Sequence, residues 1–142
     1  MPIRRYKNLD TNLNGLYEGI LDDLLDLKQL KVVNELRDKI KGKAFLSITA
    51  VRRSVQIHFS GTIREITITL FGEPNDFILE THVGFWGGLG MVNTLRKGFV
   101  DIGYRNQFHK KIRERVKANS KKELTLDKVE FLDSFPVQIF EE

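Results

Sequence analysis

Two hydrophobic periods divide the chain. From Asp10, the segment DTNLNGLYEGILDDLLDLKQ opens on capping residues and then places Leu13, Leu16, Tyr17, Ile20, Leu21, Leu24 and Leu27 three or four positions apart. That is the spacing of one face of an amphipathic helix. Glu18, Asp22, Asp23 and Asp26 fall largely on the other side, which predicts an acidic face turned to solvent. The preceding IRRYKNL reads either as a first strand or as a frayed arm. After Leu30 the period drops to two, the signature of half-buried strands. KVVNELRD fits both a strand and the end of the helix, and the next segments are clearer. KAFLSITAV sets Ala44, Leu46, Ile48 and Ala50 on one face, and SVQIHFS sets Val55, Ile57 and Phe59 against Gln56, His58 and Ser60. IREITITLF sets Ile66, Ile68 and Leu70 against Glu65, Thr67 and Thr69; DFILETHVGF sets Phe77, Leu79, Thr81, Val83 and Phe85 against Ile78, Glu80 and His82. The links Arg52-Arg53-Ser54, Gly61-Thr62 and Gly72–Asp76 are too short for a parallel crossover, so the strands should form an antiparallel meander with one apolar face.

The stretch GFWGGLGMVNTLRKGF follows the last of these strands. Beyond its glycines, Met91, Leu95, Gly98, Ile102, His109, Ile112 and Val116 keep the spacing of one helix face. The pattern predicts a single helix from about Leu89 to Asn119, roughly 45 Å long. Gly98 and Gly103 inside it either admit a close approach to the sheet or mark a break. His109 lies in the apolar stripe and is read as a satisfied, partly buried histidine. The tail LTLDKVEFLDSFPVQIF alternates again and reads as an added edge strand, with Pro136 confining it to an edge.

These elements predict an α+β fold: an antiparallel β-meander of four to six strands packed by an N-terminal amphipathic helix and a long C-terminal helix. At 142 residues, the span 1–142 reads as one domain. In element order the chain resembles the helix-grip arrangement of START and Bet v 1-like domains, where a curved sheet wraps a long C-terminal helix around an apolar cavity. It departs from that arrangement in having one N-terminal helix where two short ones are usual, and a tail after the long helix. The resemblance implies an apolar small-molecule site and transfers no functional residues.

Composition narrows the function classes. Hydrophobic residues at 41% and charged residues at 30% suit a folded globular chain. No apolar run approaches the roughly 18 residues that span a bilayer, and MPIRRYKNLD lacks the apolar core of a signal peptide, so a soluble cytoplasmic protein without membrane insertion is expected. The absence of cysteine excludes disulfides, thiolate nucleophiles and zinc-finger ligation. Together with abundant Lys and Glu and only two Met, it matches a thermophile pattern. The net charge of +4 is mild for a protein whose task is to neutralise phosphates.

The glycine stretch lacks the Walker arrangement, and Asn93 stands where a dinucleotide fingerprint needs its third small residue. It reads as a strand-to-helix turn or as the rim of a pocket. Glu80-x-His82 with His58 reads as solvated polar positions, and with neither H-E-x-x-H nor G-x-S-x-G present no catalytic residue, metal ligand or cofactor is assigned. The leading expectation is a non-enzymatic binding domain holding an apolar small molecule between the sheet and the long helix, with Phe85, Trp86, Leu89, Met91 and Phe99 near its mouth. One alternative is nucleic-acid binding through Arg52, Arg53, Lys110, Lys111, Arg113 and Lys117, although the basic residues spread around most of the helix outside its seam. The other is a homo-oligomeric scaffold in which the tail strand pairs with a neighbouring copy.

Overall fold

Local alternation becomes a sheet only where strands find partners, and here they do so in an order the chain does not run in. The computed structural model describes residues 3–27, 30–52, 63–85 and 108–133. The elements are β1 (Ile3–Lys7), α1 (Leu13–Leu25), β2 (Leu30–Ile40), β3 (Lys43–Arg52), β4 (Ile63–Glu73), β5 (Asp76–Phe85), α2 (residues 108–118) and β6 (Val129–Leu132). A single 3-10 turn, Leu126–Lys128, precedes β6. The six strands form one antiparallel sheet in the order β2-β3-β4-β5-β1-β6. The fold is therefore mixed α+β. Among the described residues no helix is long and apolar enough to cross a membrane.

The two readings left open at the start of the chain both resolve as strands. IRRYK is β1, an interior strand and not an arm; KVVNELRD lies in β2, at one edge. β3 pairs directly with β4, from Ala44↔Gly72 to Val51↔Glu65, and the expected strand at 55–60 lies outside the described residues. Two tight connections set the meander's register. Lys41 and Gly42 take φ of 54° and 80° between the paired Ile40 and Lys43, which is the backbone of a type I′ hairpin. Pro74 and Asn75 link β4 to β5 between the paired Glu73 and Asp76. At the end of β4, Gly72 has φ 141°, and a Cβ there would lie 2.4 Å from the Asp76 carbonyl oxygen and 2.6 Å from Phe77 Cα. Only glycine fits such a backbone-to-backbone approach.

The core lies between one sheet face and the two helices. Leu46, Ile48, Ala50, Ile66, Ile68, Leu70, Phe77 and Leu79 are buried against Leu16, Ile20 and Leu24 of α1 and Phe108, Ile112 and Val116 of α2. The α2 seam thus runs through Phe108, which the spacing argument passed over, while His109 is half-buried beside it. The upstream part of the expected long helix, including Gly98 and Gly103, lies outside the described residues. The expectation of one apolar face needs correction: Ile3, Phe71 and Ile78 are buried on the opposite face. The parity of the strands puts them there regardless of what the first face buries.

A second correction concerns the acidic side of α1. Asp23 belongs to the interface between the helices, with its side chain only 11% exposed. Arg115 grips it with two hydrogen bonds, Nε to Oδ2 at 3.1 Å and Nη2 to Oδ1 at 2.9 Å. The helices run antiparallel and close together. Cβ atoms at Gly15 and Gly19 would come within 2.4 Å of Asn119 Oδ1 and 2.7 Å of Arg115 Cδ. Glu18, by contrast, is exposed and pairs with Arg37, whose guanidinium also stacks 4.4 Å above the Tyr17 ring.

Two stability measurements test this account. Gly72→Ala should destabilise the fold by about 2 kcal/mol or more in urea unfolding, because the backbone of β5 must move. Arg115→Ala should cost about 2–3 kcal/mol by leaving a mostly buried carboxylate unpaired, whereas Arg37→Ala, which breaks a solvent-screened pair, should cost clearly less. Equal effects of the two arginine substitutions would overturn the assigned difference.

Candidate functional site

The alternation of β1 puts Arg4 and Tyr6 on the face that carries the helices and Ile3, Arg5 and Lys7 on the other. Pairing on both sides of β1 then fixes their neighbours. Tyr6 sits between Phe77 and Val129, and Arg4 between Leu79 and Phe131. The Tyr6 ring is buried and stacks on Phe77 at a centroid distance of 5.1 Å. The Arg4 guanidinium lies 5.5 Å from the centroid of Phe131. Below it, Arg5 turns to the opposite face and holds Asp76 in a two-point ion pair, at 2.8 and 2.7 Å.

The chain leaving α2 builds the opposite wall. It is clamped to the segment before α1: Asn12 donates its backbone N–H to Asn119 O at 2.7 Å, and Lys122 donates to Leu9 O at 3.1 Å. The Thr11 and Ser120 hydroxyls meet at 2.7 Å. Past this clamp, Leu124 and Thr125 lead into the 3-10 turn Leu126–Lys128. Thr125 is tied to the Asp127 carboxylate, and Lys128 Nζ donates to Glu123 O at 2.9 Å. Between that turn, β1, β6 and α2 lies a recess of about 100 Å³. Leu124, Leu126, Val129 and Phe131 supply its apolar walls; Arg4, Tyr6, Thr125 and Arg113 supply its polar groups. Leu126 and Phe131, 83% and 70% exposed, form an apolar lip.

The electrostatics of this recess are unbalanced. Arg4 Nε is buried and, among the described residues, has no hydrogen-bond partner. Burial pushes the Tyr6 phenol above its ordinary pKa of 10, against the opposing pull of Arg4 and Arg113. At neutral pH the phenol is therefore uncharged and offsets neither guanidinium. Among the described residues, neither Arg4 nor Arg113 makes an ion pair with a carboxylate. The arrangement can hold an anionic or acceptor group at its polar end and a short apolar group at the other.

The residues singled out from sequence stand differently. Arg113 lines the recess. Lys110, Lys111 and Lys117 are exposed on α2; Lys110 and Lys117 share a stripe with Arg113, and Lys111 lies about a quarter-turn away. Arg52 is half-buried at the end of β3, three strand spacings or about 14 Å across the sheet from β1. Phe85 ends β5 opposite Ile63. Trp86, Leu89, Met91, Phe99 and Arg53 lie outside the described residues, as does His58. Glu80 is half-buried and His82 exposed, on the face away from the helices. Among the described residues there is no cluster of three or more His, Cys, Asp or Glu side chains suited to a metal ion. Arg4, Tyr6, Val129 and Phe131 escaped the sequence reading. The usable signal was parity: a buried Tyr6 obliges Arg4 to share its face.

No protein-family model matches the chain, and neither a curated protein nor a solved structure matches it.

The Tyr6 environment has a pH consequence. A phenol whose folded pKa is raised contributes stability that is fully present below its unfolded value near 10 and is lost as pH rises through the folded value. Stability should therefore fall above about pH 10, and Tyr6→Phe should blunt that fall relative to Tyr17→Phe, the other tyrosine that burial pushes upward. Arg4→Gln should move the Tyr6 titration higher still, read by phenolate absorbance, since it removes a cation that favours the phenolate. An unchanged or lower titration would contradict the proximity of the two groups.

Proposed function

We propose that this chain is a non-enzymatic binding domain that takes a small amphipathic molecule into the recess between the edge of the sheet and α2. One observation carries the reading: a buried, unpartnered Arg4 Nε at the polar end of a recess whose other walls are apolar. A donor left without an acceptor in a protein interior is disfavoured, and a ligand acceptor relieves the penalty. The size is consistent with a modest ligand. At about 100 Å³ the recess is smaller than the roughly 150 Å³ cavity that accommodates benzene, so the ligand is a ring or short chain with part of it outside. The reading also keeps the general plan of a helix-grip domain, with the ligand between sheet and C-terminal helix.

Nucleic-acid capture by Lys110, Lys111, Arg113 and Lys117 has exposure in its favour and little else. Glu114 interrupts the stripe, and Arg113 is shared with the recess. Nucleic-acid grooves pair such charges with stacking aromatics.

The test is a titration of isotopically labelled protein with a panel of small apolar and amphipathic compounds, followed by amide chemical shifts. Binding in the micromolar-to-millimolar range is expected for ligands of this size. The shifts should cluster at Tyr6, Leu124 and Val129 and should vanish when Val129→Phe fills the space. Shifts confined to Lys110, Lys111 and Lys117, and only with oligonucleotides, would replace this reading with the nucleic-acid one.

A further inference from the structure

We infer that the polar end of the recess is a carboxylate site: its ligand is a small monocarboxylic acid whose oxygens accept from Arg4 Nε and the Arg113 guanidinium, with the apolar remainder against Leu124, Leu126 and Val129. The inference rests on the reading of the recess as a small-molecule site and adds the chemical class of the ligand.

Three observations select a carboxylate. The first is geometric. Arginine presents its N–H donors in a planar fork that matches a planar two-oxygen acceptor, and here the Nε side of the Arg4 fork is buried without one. The guanidinium carbon lies over the Phe131 ring at 5.5 Å from its centroid, so the ring offers a π face and no acceptor to the Nε donor. The second is charge. Two guanidiniums line a recess whose phenol is uncharged at neutral pH. Asp127 on the wall segment is tied to Thr125, and no acidic side chain lines the recess among the described residues. An anion is thus the group that the described lining does not supply. The third is the remaining wall. Leu124, Leu126, Val129 and Phe131 offer no donors, so a tetrahedral dianion such as phosphate would have most of its oxygens facing hydrocarbon. A carboxylate satisfies its two oxygens on the arginine side and turns its substituent toward the leucines and valine.

The experiment uses the full chain and three probes: benzoate, its neutral near-isostere benzamide, and inorganic phosphate. Binding is followed both by amide shifts and by the Arg4 Nε–Hε resonance, which needs no substitution and so cannot fail through misfolding. The inference expects benzoate to bind with a downfield move of the Arg4 Nε–Hε resonance. Benzamide should bind at least about tenfold more weakly, the loss expected for one charge-assisted hydrogen bond. Arg4→Gln should weaken benzoate by a similar factor and benzamide by less, since the amide oxygen accepts from Arg4 without a charge. Equal binding of benzoate and benzamide would overturn the carboxylate assignment while leaving a small-molecule site in place. Phosphate binding with no response to benzoate would overturn it in favour of an inorganic oxyanion. No shift at Tyr6, Leu124 or Val129 with any of the three would overturn it together with the proposed function.

Discussion

Pairing on both sides of β1 is the constraint on which the rest of the molecule depends. Residues Ile3–Lys7 bond to β5 from Glu80 to Asp76, and Ile3–Tyr6 bond to β6 from Leu132 to Val129. The first strand of the chain thereby joins the end of the meander to the segment after α2, more than a hundred residues away in sequence. β6 has four residues, too few to hold its register by pairing alone. The clamp between residues 9–12 and 119–122 supplies the missing restraint at the point where both chains leave their elements. Without β1 in the interior of the sheet there would be no shared face for Arg4, Tyr6, Val129 and Phe131, and no recess.

The two helices set the remaining wall by a simple rotation argument. Arg115 faces α1 because Gly19 leaves room for its side chain and Asp23 binds its guanidinium. Residues two apart on a helix point about 200° from each other, so Arg113 is turned away from α1 and toward the strand edge. Ile112 and Val116, between these directions, go down onto the sheet. One part-buried ion pair thus orients the helix whose opposite side reaches the recess. The burial of Asp23 makes that orientation specific, since only a partner with Arg115's geometry compensates the carboxylate.

The recess combines groups that a purely structural corner would pair off. Elsewhere among the described residues Arg5 and Arg115 hold carboxylates two-handed, Asp76 and Asp23 respectively, and Arg37 pairs with Glu18 through one contact. Arg4 has an aromatic face and a buried donor instead, and Arg113 lines the recess with no carboxylate partner among the described residues. The contrast between neighbouring arginines on β1 is the physical basis for reading one as structural and the other as a recognition group.

Amphipathic periodicity alone determined much of the architecture. Leu16, Ile20 and Leu24 lie on one face of α1, and Ile66, Ile68 and Leu70 on one face of β4, because each pattern is a local property of helix or strand geometry. The short links of the meander likewise require antiparallel neighbours. Tertiary structure alone decided that IRRYK is interior to the sheet, that Asp23 leaves the solvent face for Arg115, and that Phe71 and Ile78 are buried on the second face. It also decided where the candidate site lies, since the glycine-rich stretch that drew the sequence reading says nothing of Arg4. The physical reason is the same in each case. Periodicity records which side of an element a residue occupies, whereas a strand's partner, a carboxylate's counter-ion and an arginine's missing acceptor depend on contacts between residues tens to a hundred positions apart.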